Sequence, residues 1–364
     1  MRQKYASLIV NYCLDVEKGD RVFISSTSLA EPLLKHIHDY ILQAGGHPYI
    51  QMSVANTAAS FYQYANQTQL LHVNEFSRKA IEDFEAYLVV RAPHNLSEEA
   101  NVDSEKRAIK RAAAVELNKT YFERTANGSL KRTLCQYPTV ASAQEANMSL
   151  EEYQQFVYTA CGLLEDNPIE YWLSVRKKQQ KLVDYLNDKQ VIRYVTRETD
   201  ISFNTKGRTW INSDGRTNMP SGEVFTAPVE DSVNGHILFS YPSIYQGKSV
   251  EEVRLEVKNG VIQSWQAKAG QEVLDEVFAI NGARVFGEAA IGTNYNIQQI
   301  TKNILFDEKI GGSIHMAVGQ SYKQCGGKNQ SVIHWDMITD MKHGGKIYAD
   351  EELFYADGKV ITQL

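Results

Sequence analysis

The chain has 364 residues, with 38 Lys and Arg against 44 Asp and Glu and a formal charge of -6 at neutral pH. Its 43% hydrophobic and 23% charged content is that of a folded globular protein, which excludes a mainly disordered, collagen-like or coiled-coil chain. The acidic balance argues against a nucleic-acid partner. No run approaches the roughly 20 apolar residues needed to cross a bilayer, so no membrane partner is expected either.

Residues 3–14 pattern as a short helix, followed by a turn over 16–20 and a strand over 21–25 rich in branched and aromatic side chains. Apolar residues at 30, 33, 34, 37, 41 and 44 recur near a 3.6 period, so 29–44 is predicted as an amphipathic helix ending at Gly45-Gly46. Residues 48–54 and 86–90 read as further strands, and this strand–helix–strand order implies a parallel sheet. Ser149-Leu150-Glu151-Glu152 is a capping box opening a helix to about 164, and 168–187 reads as another. From about residue 190 the texture changes to short strands. The clearest is a hairpin over 253–265 that turns at Asn259-Gly260. A helix over 271–280 interrupts these strands. The expected architecture is an α/β N-terminal domain with a parallel sheet over 1–190, then a β-rich α+β domain over 191–364.

Cys13, Cys135, Cys161 and Cys325 are scattered, with no CxxC pair, and the N-terminus lacks the look of a secretory signal. A cytoplasmic chain with free thiols is expected.

Nucleophile elbows, Walker loops and His-Glu-x-x-His are missing, and no Gly-x-Gly-x-x-Gly follows the first strand. The chemical signal lies in the C-terminal half. In Val332–Ile338, His334 and Asp336 are two apart on a strand and project together, with Ile333, Trp335 and Met337 on the other face. Imidazole beside carboxylate suits zinc, cobalt or manganese, although a His–Asp pair that only braces a sheet has the same pattern. His315 interrupts a second apolar strand, and the loop after it brings Tyr322. Alone, each reads as readily as a packing residue. Glu223 sits in Pro220–Pro228, between small residues and prolines. Glu288 sits in Gly287–Asn294 with no compensating base nearby except Arg284. An acid in so apolar a setting is costly to bury unless paired or metal-bound. The acidic pairs Glu230-Asp231 and Asp307-Glu308 read as turn and helix-end residues. Together, three carboxylates and two imidazoles supply what a two-metal hydrolytic site needs.

PSGEVFTAP at 220–228, GEAAIGTN at 287–294, GSIHMAVGQSY at 312–322 and HWDMI at 334–338 occur in order and at suitable separations. In these motifs the chain resembles the aminopeptidase T and aminopeptidase S family of metallopeptidases, the thermophilic metalloprotease family, over essentially its whole length. That resemblance implies metal ligands at Glu223, Glu288, His315, His334 and Asp336, with Glu288 and Tyr322 as catalytic residues. It further implies two divalent ions (zinc, cobalt or manganese) that activate a water, peptide substrates with a free N-terminus, and a cytoplasmic homodimer. A non-catalytic binding or scaffold protein with a structural metal site, and a two-metal phosphoesterase, are the alternatives. The second would need basic residues near the metals, and the site segments themselves offer almost none.

Overall fold

The protein is described here by a computed structural model covering residues 1–245 and 247–364. It forms two compact units, Met1–Ile169 with Gly215–Pro220, and Glu170–Asp214 with Ser221–Leu364.

The first unit is built on a five-stranded, wholly parallel sheet. Its spatial order is His47–Ser53, Arg21–Thr27, Ala86–Arg91, Lys131–Gln136 and Asn218–Met219. Val22 and Ile24, and Leu88 and Val90, are buried in the interior strands. The connecting helix Glu31–Gln43 buries Leu33, Leu34, Ile37 and Ile41, the stripe that the 3.6-residue period marks out. The three strands expected here are present. The other two have weak local signals: Lys131–Gln136 is mostly polar, and Asn218–Met219 is only two residues long. The capping box at Ser149 forms as read. Ser149 Oγ accepts from Glu152 N at 3.2 Å, and Glu152 Oε2 accepts from Ser149 N at 2.7 Å.

The second unit carries an eight-stranded sheet and a five-stranded antiparallel sheet around one hydrophobic core. In the smaller sheet the order is His334–Asp340, Ser313–Gly319, Phe286–Gly292, Glu223–Thr226 and Ile211–Ser213. Val224, Ala289, Ile291, Ile314, Met316, Val318, Trp335 and Met337 face the core from this sheet. Leu182, Val183 and Leu186 of the helix Pro168–Asn187 lie in the same core. The expected hairpin joins Val253–Lys258 to Val261–Gln266, with Asn259 and Gly260 both at positive φ. The α/β start and strand-rich remainder are therefore as the sequence predicts.

Because the Ser149 hydroxyl satisfies an otherwise orphaned helix N–H, Ser149→Ala should lower unfolding free energy by about 1 kcal/mol, read from urea denaturation.

Candidate metal centre

The register of the five-stranded sheet assembles the site. Across antiparallel strands, directly opposed residues share a face, as do residues two apart. Gly292 opposes Glu223, Ala290 opposes His315, Ala317 opposes both Glu288 and Asp336, and Gly319 opposes His334. Glu223, Glu288, His315, His334 and Asp336 therefore all project from the face opposite the core. Only glycine or alanine separates them laterally, which leaves room for the longer side chains to converge. A register shift between Phe286 and Glu288 sets this phase, with Gly287 as the extra residue.

All five sequence-predicted donors come together. His315 Nε2 lies 3.5 Å from Glu223 Oε2, 3.7 Å from Glu288 Oε1 and 4.0 Å from Asp336 Oδ1. His334 Nε2 lies 2.9 Å from Glu288 Oε2 and 3.5 Å from Asp336 Oδ1. Two compact donor groups result, Glu223–Glu288–His315 and Glu288–His334–Asp336, each with ligand atoms within 4.8 Å of one another. Glu288 belongs to both. His334 Nδ1 donates to the Gln320 carbonyl at 2.8 Å, which aims Nε2 at the carboxylates of Glu288 and Asp336.

Burial raises the cost of charge throughout this face, and the groups answer by pairing. Burial works upward on Asp336, but the charge of His334, followed by those of His315 and Lys309, brings it down to about 2. Glu288 likewise ends below its ordinary value despite burial, because both imidazoles hydrogen-bond to it. Burial opposes protonation of His315, yet its bond to Glu288 and the charges of Glu223, Glu288 and Asp336 push it up to about 9. Several polar atoms stay buried without a hydrogen-bond partner: Glu223 Oε2, Asp336 Oδ1 and His315 Nδ1. Such orphans are rare in a native interior, and carboxylate oxygens left over beside imidazole nitrogens fit a divalent cation.

Tyr322 sits at the rim. Its ring centroid is 5.0 Å from that of His334 and 5.5 Å from that of Phe225. Burial and the charges of Glu288, Asp336, Glu308 and Glu223 hold its phenol well above the usual tyrosine range, so it stays a proton donor. Its loop is tied down by Glu230, which accepts from Lys328 N at 2.6 Å and pairs with buried Arg208, and by Thr209 N, which donates to Cys325 O at 3.1 Å. Glu230 lies in a turn, as its sequence neighbourhood suggests, and also anchors this loop.

Two residues outside the four motifs also belong here, Glu308 and Lys309. Glu308 caps the end of the helix Ile304–Asp307, as expected of a helix-end acid, but its side chain turns inward and pairs with Lys309, which is itself completely buried. Lys309 Nζ reaches to 3.8 Å from Glu223 Oε1. A base does therefore adjoin the acids, from a segment outside the site motifs. Arg284 plays no such part: its Nε donates to the Phe278 carbonyl and its guanidinium stacks 4.6 Å from the Trp265 ring centre.

Against known proteins, the family model described as "Thermophilic metalloprotease (M29)" matches residues 1–360, and the chain belongs to that family. It is accordingly a metal-dependent peptide hydrolase. Among curated relatives, "Aminopeptidase PepS" of Streptococcus thermophilus is 27% identical, covering 92% of this chain and 91% of the relative. "Aminopeptidase 2" of Geobacillus stearothermophilus is 24% identical, covering 88% and 83%. The solved structure of wild-type AmpT from Thermus thermophilus has the same fold, with a TM-score of 0.86, 20% identity and 99% coverage of each chain.

A Cβ placed on Gly287 would meet the Gln320 carbonyl oxygen at 2.4 Å and the Gly319 carbonyl oxygen at 2.7 Å. Gly287→Ala must therefore displace the acceptor that orients His334. It should cost about 1–3 kcal/mol in urea denaturation and abolish most peptidase activity. Wild-type activity in this variant would show that the Gln320 contact does not matter.

Proposed function

We propose that the chain is an aminopeptidase that removes N-terminal residues from peptides, with Glu223, Glu288, His315, His334 and Asp336 holding two divalent ions. The observation that carries this reading is the set of partnerless buried donor atoms on one sheet face, Glu223 Oε2 and Asp336 Oδ1 above all. Zinc, cobalt or manganese suits such a mixture of carboxylates and imidazoles. Bound there, the ions would supply Lewis acidity and a nucleophilic water at neutral pH.

The chain's own groups divide the remaining work. Glu288, common to both donor groups, would help hold the ions or would accept the proton of the attacking water and return it to the leaving amine. The Gln320 carbonyl holds His334 in one orientation. Tyr322, kept protonated by burial and by the surrounding acids, would donate a hydrogen bond to the oxyanion as the scissile carbonyl becomes tetrahedral. The preference for a free N-terminus is supported by the names of the relatives, all aminopeptidases. Four free cysteines suit a reducing cytoplasm, and the family resemblance suggests a homodimer.

Tyr322→Phe should keep its bound metal and its unfolding midpoint while losing about a hundredfold or more in kcat. Unchanged turnover would remove Tyr322 from the mechanism. Short peptides with a free N-terminus should be cleaved and their N-acetylated counterparts should not, with activity lost to chelator and regained on adding cobalt, zinc or manganese. Equal cleavage of the blocked peptides would overturn the exopeptidase assignment.

A further inference from the structure

We infer that the two ion positions are unequal and fill in order, first at Glu288–His334–Asp336 and second at Glu223–Glu288–His315, because Lys309 lies against the second. This rests on the five-donor reading above and goes beyond it. Lys309 is completely buried, and its Nζ is 3.8 Å from Glu223 Oε1. A divalent ion entering beside Glu223 meets that ammonium at short range, where the buried setting screens repulsion poorly. Among the described residues, the ion pairs of Glu288 and Asp336 are with imidazoles and not with a lysine or arginine.

Two independent features point the same way. His334 Nδ1 is bound to the Gln320 carbonyl, an outer contact that fixes Nε2 for a ligand, whereas His315 Nδ1 has no partner. The His334 side chain is also 23% exposed against 1% for His315, so an ion arriving from solvent meets the His334 side first. Glu308 pairs with Lys309 and shares its charge, which is what lets the ammonium be buried at all. Lys309 thus sets the difference between the positions, and Glu308 tempers it.

The test is a titration of the chelator-stripped full chain with Co²⁺ by calorimetry, with bound metal counted per chain after desalting. Two equivalents are expected, the first at least about tenfold tighter than the second. Glu223→Gln should keep the tight equivalent and lose the weak one, and Asp336→Asn should lose the tight one. Lys309→Met should tighten the second equivalent towards the first, and Glu308→Gln should weaken it further. Thermal melts identify any variant that fails to fold; if Lys309→Met does not fold, the wild-type and Glu308→Gln isotherms decide. Two ions of equal affinity would overturn the inference, as would a tight equivalent that vanishes in Glu223→Gln but survives in Asp336→Asn. Failure to bind any ion would instead remove the five-donor reading itself, and the order with it.

Discussion

The structure around the site depends on one constraint: three carboxylates, those of Glu223, Glu288 and Asp336, are buried close together, with the partly buried Glu308 beside them. Their mutual repulsion is unsustainable in a poorly screened interior unless positive charge sits among them. The chain supplies part of it through Lys309 and through the imidazoles of His315 and His334. Both rings are driven towards protonation against the cost of burial. Binding a cation to those nitrogens requires the protons to leave, so metal and proton compete for the same places.

The sheet can carry this charge because its two faces have separate tasks. The reverse face is apolar and shares the hydrophobic core with the eight-stranded sheet, which fixes the strands firmly. The front face alternates donors with glycine and alanine, so that long side chains from neighbouring strands meet above short ones. A small apolar cluster of Phe225, Ala227, Ala290 and Cys325 lies on the same face and packs against Tyr322. Rigid support of this kind is what holds reactive groups within the narrow tolerances of catalysis.

Second contacts refine the arrangement. Gln179, from the long helix, donates to the carbonyls of Ser213 and Glu223 and accepts from Thr293, so the backbone beneath Glu223 is held from the helix side. The Arg208–Glu230 pair does the same for the Tyr322 loop. Neither Gln179 nor Arg208 stands out in the sequence, because amides and guanidinium groups are common on helices and loops and their targets here are remote in the chain.

Local pattern alone determined much. The period-2 placement of His334 and Asp336 put both on one face, the 3.6 period defined Glu31–Gln43, and Ser149–Glu152 and Asn259-Gly260 carried their own stop and start signals. These are properties of neighbouring residues, and short-range sterics and hydrogen bonding enforce them wherever they occur. The four motifs likewise contain all five side chains that converge on this face. Tertiary structure decided the rest. Strand register brought Glu223 and Glu288 to the two imidazoles, and the fold buried the Glu308-Lys309 pair, which by local sequence looks like an ordinary solvated helix end. Whether a charged pair faces water or other charges depends on what the distant chain lays over it, and that information is not contained in the pair itself.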